Sequence, residues 1–519
     1  MTSFYVYRDI IERSRIKYTY NEISVKNTAD RRAVSKLRYP IQWVKTRFLM
    51  DKNILKGKKH IHFIGIGGSG MYPLAQILHS QGYYLTGSDN NETETLEAVR
   101  KMGIPVFLGQ RSENIEGADL IVHTAAIMSD NPELIAAKSS GVPVLERSEL
   151  LGIVTSWYDN AICVAGTHGK TTTTSMITQI LYTAKIDLSA FIGGKLPCIG
   201  GSGLAGKSDI MVCEACEFVD TFLKLYPDCA VILNIDEDHL DYFKNLDNII
   251  RSFRRFSEMA TKALIINGDD SNTLKAVSGV EGKKIISFGI GKENNYYADN
   301  IRKISGMETE FEVYRNGSLL GNVTLHVAGT HNVLNALAAV AAAEYAGVSF
   351  EAIKQGLNDF RGAGRRFELI GKVRGVTIAD DYAHHPTELT ATLKAAMNMG
   401  YKRVWAVFQP FTFSRTSILL NDFAEALSIP DVAVLTDIMG SREKNTFNIF
   451  TRNLAEKIDN CVYFPQDETA EYTDERKYEN FRQVCDYVCE NTKDGDLVIT
   501  LGCGDVYKVA KMIYKKLKD

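Results

Sequence analysis

The chain has 519 residues, 45% of them hydrophobic and 24% charged, with a net charge of −3. That length exceeds what one hydrophobic core serves, so roughly three domains are expected. The near-balanced charge excludes a chain-wide basic field for nucleic acid. No run of about 18 apolar residues offers a membrane span, and the N-terminal stretch has no apolar core of the signal-peptide kind. Nine cysteines follow no regular frame. Only Cys213 and Cys216 have metal-like spacing, without a second pair to complement them, so the set reads as reduced structural thiols of a cytoplasmic protein.

In chain order, residues 1–57 stand apart, with 13 Lys/Arg against 5 Asp/Glu. Beyond a short amphipathic stretch at 8–16 they show no period. They read as an unstructured basic extension or as sequence upstream of a start at Met50. A basic arm for nucleic acid or an anionic membrane is the other reading. From residue 58 strand and helix alternate. HIHFIGI (60–66) is a buried strand, MYPLAQILHSQG a helix closed by glycine, YYLTGSD a strand, LEAVRKMG a helix, and IPVFLG and ADLIVHTAAI further strands. Such alternation implies a parallel sheet covered on both faces. NAICVAGTHGKT opens a second unit as strand, loop and helix, followed by the strands DIMVCEAC, CAVILNID and ALIINGDD. Residues 306–329 alternate about an RNGS turn, predicting a small antiparallel insert. HNVLNALAAVAAAEYAG is an Ala-rich helix. A third unit follows GAGRRFELIG, with strands VTIADDY, RVWAVFQP, VAVLTDI and DLVITLG and a last helix after LGCGD.

Two glycine loops carry chemistry. Gly65, Gly67 and Gly70 fit G-x-G-x-x-G between a strand and a helix, a diphosphate cradle, with Asp89 ending the next strand about 20 residues on. Alone, this motif suggests a dinucleotide. The second loop, Gly166–Thr171, is a phosphate loop two residues short: the usual first glycine would fall at 164, where Val164 stands. Lys170 can still reach terminal phosphates and Thr171 can ligate Mg²⁺. Glu214 and His239 end the next strands and are candidate metal donors. Asp381, Tyr382 and His384 lie in DDYAHHP at another strand end. An extended chain points His384 and His385 apart, which favours substrate contact over a shared zinc.

The ordered set AGTHGKTTTT, CEACEF, NIDEDHLDYF, GTHNVLNALAA, GAGRRFE, DDYAHHPTE and FQPFTFSRT, spread from about residue 59 to the end, resembles the Mur ligases. The resemblance implies an α/β chain of three domains. A Rossmann-like UDP-binding domain would cover 58–158 and a central P-loop ATPase domain with the small antiparallel insert 159–363. A C-terminal Rossmann-like domain, 364–519, would close on the site. It implies ATP and Mg²⁺, and the reactants UDP-N-acetylmuramate and L-alanine, joined after the lactyl carboxylate becomes an acyl phosphate. No nucleic-acid or membrane partner is implied, and the chain would be a monomer or homodimer.

Residues carry over by position. Gly166, Thr167, His168, Gly169, Lys170, Thr171, Thr172, Asn332, Asn335, Arg366, Asp381 and Tyr382 would hold ATP. Gly67, Gly68, Ser69, Gly70, Asp89 and Thr124 would hold the UDP-sugar. Thr171 and Glu214 match ligands of a first metal and His239 of a second. Lys170, His384 and Arg415 match catalytic positions, the last two near the muramyl and alanine carboxylates. Four positions depart from the family pattern: Phe411 stands where a histidine is frequent, Thr412 where some members have arginine, Cys216 where others have aspartate, and Arg254 where sister ligases place a modifiable lysine. Three rival readings remain: a recycling ligase that attaches a ready-made peptide to the same sugar, an NAD-dependent oxidoreductase built on Gly65–Gly70, and a non-catalytic UDP-sugar sensor.

Overall fold

Three sheets, lying between residues 60 and 501, carry every motif singled out above. The computed structural model describes residues 52–519 apart from 328, 441–442 and 466–472, together with an antiparallel strand pair, Lys17–Thr19 and Glu22–Ser24. The expectations for the stretch 8–16 and for Met50 lie outside the described residues. Leu55–Asp519 form one unit.

The first sheet has five parallel strands in the order Val106–Leu108, Tyr84–Asp89, His60–Ile64, Leu120–His123, Val144–Glu146. Its central strand buries Ile61, Phe63 and Ile64 completely, as a strand covered on both faces must. It stops two residues sooner than predicted. Gly65 takes φ +83°, and any side chain there would strike Thr124. The N–H groups of Gly65 and Ile66 then turn to the Ser88 carbonyl, at 2.8 and 3.0 Å.

The second sheet has ten strands. Its parallel body runs Ser189–Leu196, Ile210–Glu214, Asn160–Ala165, Cys229–Ile232, Ala263–Asn267, Lys284–Gly289, Tyr296–Lys303. The predicted antiparallel insert is not a separate piece. Thr309–Arg315 and Ser318–Leu325 continue this sheet from the edge of Tyr296–Lys303. The RNGS turn forms as read: Asn316 and Gly317 both have positive φ, the mark of a two-residue hairpin turn that Asn-Gly suits. Against this sheet packs the helix His331–Tyr345, whose fully buried alanines from Ala336 to Ala343 share one core with Met176, Ile177 and Ile180 of the helix Lys170–Thr183. Side chains that small allow a close approach of helix to helix and to sheet.

The third sheet is ordered Glu368–Val373, Val376–Asp381, Leu497–Leu501, Val404–Phe408, Val432–Leu435, Cys461–Tyr463, with only the first strand antiparallel. The chain enters it through Gly362, Arg365 and Phe367, all at positive φ.

Side-chain contacts join the three sheets' surroundings. Lys224 donates to Glu146 Oε2 (3.0 Å) and Ser148 Oγ (2.7 Å). Glu94, on the helix Glu94–Lys101 beside the first sheet, faces Lys511 at 3.2 Å and Lys195 at 3.9 Å, one from each of the other two regions. Among the described residues no helix is long and apolar enough to cross a membrane. All nine cysteines are unpaired.

Candidate active site

The strand Asn160–Ala165 is buried from Ala161 onward and delivers the chain into Gly166 at φ +153° and Gly169 at φ +84°. A side chain at Gly169 would fall 2.5 Å from Asn335 Oδ1, so only glycine lets the loop lie against that amide. The helix Lys170–Thr183 starts immediately afterwards with no side-chain cap. Its first backbone N–H groups therefore remain available to an anion, at the positive end of the helix dipole.

Lys170 Nζ is held by its own loop, donating to the carbonyls of Gly166 (2.6 Å) and Thr167 (3.0 Å), and by Glu217 Oε1 at 3.0 Å. Burial pulls its pKa down, but the charge of Glu217, with Cys216 and Glu214 nearby, outweighs burial and holds it above the ordinary lysine value. The ammonium is thus permanently charged. Thr171 Oγ1 donates to Glu214 Oε1 at 3.0 Å, and the Gly193 N–H donates to Glu214 Oε2 at 2.8 Å. Thr171 and Glu214 therefore stand together.

His239 meets two donors that the sequence did not single out. Glu217, Asp238 and His239 each offer one atom, all within 4.8 Å of one another. Two hard carboxylates and an imidazole suit a divalent cation, and so does the adjacent Thr171–Glu214 pair. Both donor sets fit Mg²⁺. Phe218 packs its ring on His239, with centroids 4.5 Å apart.

His168 is clamped between two regions. Its Nε2 lies 3.5 Å from Asp236 Oδ2 and its Nδ1 lies 3.9 Å from Glu388 Oε1. These are ion-pair distances, longer than hydrogen bonds. Burial lowers the imidazole pKa, and the two carboxylates raise it further, to about 9. Glu388 comes from the helix Pro386–Met397 of the third region. It also accepts from the His384 N–H at 3.1 Å.

A cavity of about 580 Å³ opens between the second and third regions. From the first of these it is lined by Thr167–Thr172, Glu214, His239, Asn332 and Asn335, and from the other by Arg366, Asp381, Tyr382 and His384. Asp381 is fixed by the N–H groups of Phe367 (2.7 Å) and Ala383 (2.8 Å). Burial raises its pKa to about 6 against the charge of Arg366. Arg366 lies over the Tyr382 ring at 5.1 Å. Gly166 and Arg415 are not among the lining residues. Arg415 sits just behind, on the helix Phe413–Ile418, near enough for its charge to act on Asp238 and His384. His385 caps the helix Pro386–Met397, accepting from the Thr387 N–H at 3.4 Å, and lies near enough to Asp238 for its charge to act there. Arg254 is tied to Ser278 O (2.8 Å) and Glu258 (3.3 Å) on its own helix's side.

The other glycine loop is separate. The Gly67 N–H donates to Asp89 Oδ2 at 3.0 Å, and Gly65 packs on Thr124. Ser69 accepts from Ser202 of the second region at 3.4 Å. Arg147, absent from the sequence reading, lies against Gly70 and over the Phe191 ring at 5.8 Å.

Family models match the chain in three consecutive segments: the Mur ligase family catalytic domain over residues 60–158, the Mur ligase middle domain over 164–343, and the Mur ligase glutamate ligase domain over 365–504. The chain belongs to the Mur ligase family, enzymes that spend ATP to join an acid to an amine. Within that class the similarity is to alanine-adding members. A UDP-N-acetylmuramate–L-alanine ligase of Caldanaerobacter subterraneus subsp. tengcongensis is 43% identical over 462 residues, 89% of this chain and 98% of its own length. One from Agathobacter rectalis is 45% identical over 464 residues, 88% of this chain and 98% of its own. Among solved structures, the UDP-N-acetylmuramate–alanine ligase of Thermotoga maritima superposes with a TM-score of 0.73 at 26% identity, covering 88% of this chain and 99% of that one. A murein peptide ligase from Psychrobacter arcticus gives 0.67 at 25%, covering 89% and 99%. The expected α/β architecture of three domains is the observed one.

Proposed function

We propose that this chain joins L-alanine to the lactyl carboxylate of UDP-N-acetylmuramate, cleaving ATP to ADP and phosphate, in cytoplasmic synthesis of a cell-wall precursor. The observation that carries this reading is the convergence of Lys170, the Thr171–Glu214 pair, Asp238 and His239 on one cavity, with Glu217 buried behind them, faced by Arg366, Asp381 and His384. This reading divides the chain at about 158 and 363, with 58–158 for the sugar nucleotide, 159–363 for ATP and 364–519 for the amino acid, a division supported by the three matched segments 60–158, 164–343 and 365–504.

A carboxylate resists attack by an amine because its leaving group would be oxide. Passing the γ-phosphoryl group to the lactyl oxygen breaks the β–γ bridging P–O bond of ATP and creates a mixed anhydride with phosphate as leaving group. Phosphoryl transfer demands positioning and neutralisation of the spreading negative charge more than covalent help. Gly166–Thr172 and the helix N-terminus cradle the phosphates, and Lys170, moving from Glu217 to the γ-phosphate, follows the transferring group. Mg²⁺ on Thr171 and Glu214, and on Glu217, Asp238 and His239, supplies further positive charge when bound. Asn332, Asn335, Arg366, Asp381 and Tyr382 hold the nucleoside part. Gly67–Gly70, Asp89 and Thr124 hold the uridine diphosphate.

The alanine amine then attacks the acyl carbon, forming the amide and expelling phosphate, while its proton leaves to solvent or a nearby base. Arg415 is assigned the alanine carboxylate and His384 the region of the lactyl group. With Phe411 and Thr412 uncharged, Arg415 is left as the cation for that carboxylate. The third region, closing over the cavity through Glu388 and His168, excludes the water that would hydrolyse the anhydride.

Phosphate release measured with UDP-N-acetylmuramate, ATP and a panel of amino acids and peptides tests the reading. Release with L-alanine supports it. Release only with a tripeptide assigns a recycling role instead, and tight UDP-sugar binding without release assigns a sensor.

A further inference from the structure

The cation-donor atoms of Glu217, Asp238 and His239 come from two loops, one after each of the strands Ile210–Glu214 and Cys229–Ile232, which flank Asn160–Ala165 in the sheet. Both loops hold residues in the left-handed region, where side chains other than glycine are uncommon. Val219 and Asp220 have φ of 52° and 57°, and His239 and Lys244 have 52° and 71°. A β-branched valine there is a true outlier, so something must hold it. Backbone strain of this kind persists only where the surroundings over-determine it.

Asp220 supplies the restraint. Its Oδ2 accepts from the Tyr242 hydroxyl at 3.0 Å and faces Arg255 Nη1 at 3.5 Å, while its Oδ1 accepts from the Ser252 hydroxyl. Tyr242 lies on the helix Leu240–Phe243, which begins at His239, and the other two partners lie on the next helix, Leu246–Met259. One carboxylate thus ties the loop bearing Glu217 to the segment bearing Asp238 and His239. Phe218, between Glu217 and the strained pair, completes the link by packing on the His239 ring. The tie is not itself a ligand: Asp220 is not in the donor cluster.

We propose that Asp220 is a positioning residue that holds Glu217 in register with Asp238 and His239, setting the affinity of the divalent cation these three bind. The inference rests on the cation role proposed above for His239. Outer partners of this kind are worth about 10- to 100-fold in metal affinity.

The test is a Mn²⁺ titration of the full-length enzyme in the presence of a non-hydrolysable ATP analogue and UDP-N-acetylmuramate, with free Mn²⁺ read by electron paramagnetic resonance. His239→Ala defines the site. If that variant binds as much Mn²⁺ as wild type, the cation role and this inference fall together. If it loses a site, Asp220→Ala is expected to raise that site's Kd at least fivefold and leave UDP-N-acetylmuramate affinity within twofold. Asp220→Asn, which keeps an acceptor and tolerates the left-handed backbone, is expected to recover part of the loss. A rise below fivefold, or an equal weakening of sugar-nucleotide binding, overturns the inference while leaving the cation role intact. If Asp220→Ala does not fold, Tyr242→Phe decides, with a threefold rise expected and a smaller one overturning.

Discussion

The two glycine loops begin alike and end in different chemistry. Both leave a buried parallel strand, turn on a glycine at positive φ, and enter a helix. After that they diverge. The Gly65–Gly70 loop is answered by Asp89, which takes the Gly67 N–H, and by no lysine of its own. The Gly166–Lys170 loop carries an ammonium on three acceptors and is bordered by two sets of hard donors. A glycine turn is therefore a general cradle for phosphates, and what surrounds it decides whether the phosphate is held or transferred. Under the proposed function, one loop holds the sugar nucleotide while chemistry proceeds at its far end, and the other holds the ATP that gives up a phosphoryl group.

That contrast can be broken most severely at Lys170. Lys170→Ala is expected to reduce kcat by roughly 10³-fold, the scale of a lost charge in a preorganised site, with UDP-N-acetylmuramate affinity within twofold of wild type by calorimetry. Equal loss of both would merge the two loops' roles. Glu214→Gln is expected next, lowering kcat by about 10²-fold and raising the Mg²⁺ concentration needed for half-maximal rate, read in a metal titration. On the other loop, Asp89→Ala removes a charged acceptor and is expected to raise KM for the sugar nucleotide about 10-fold. KM for ATP should not change, and steady-state kinetics in both substrates decide the point.

The smallest effect concerns the clamp on His168. Its folded pKa of about 9 stands above the ordinary 6.5, so the stabilisation it brings is whole below about pH 6.5 and is lost as pH climbs through 9. Thermal unfolding midpoints of the wild type are expected to decline over that window. Glu388→Gln, which removes one of the two carboxylates, is expected to flatten the decline, and an unchanged slope would show that the pair does not act.

Much of this was legible in residue order because phosphate chemistry needs contiguous groups. Gly169, Lys170 and Thr171 must be neighbours for the loop to work, and Glu214 was read from its place at a strand end; His239 was placed at a strand end too, but that strand closes at Ile232 and His239 caps the following helix. Partners far apart in the chain left no such trace. Glu217 meets Lys170 across 47 positions, and Glu388 meets His168 from another region altogether. The strands Ser189–Leu196 and Gly201–Leu204 were missed because SAFIGGKL and GSGL carry glycines where a strand reading looks for branched or aromatic side chains. Glu368–Val373 was missed for another reason: it is an edge strand with no fully buried residue, so no apolar run announces it. The hairpin at 306–329 was read correctly as a hairpin, but whether it stands alone or extends a sheet depends on the Tyr296–Lys303 edge beside it, which only the fold supplies.

Glu94 touches a lysine from each of the other two regions, and all three side chains are largely in water. Ion pairs so placed are weak, and ordinary salt weakens them more. At this point the three regions are held weakly, unlike at Lys224 and His168, whose ion pairs are partly buried. Added salt is expected to slacken this contact ahead of those two, without touching a single atom that reacts.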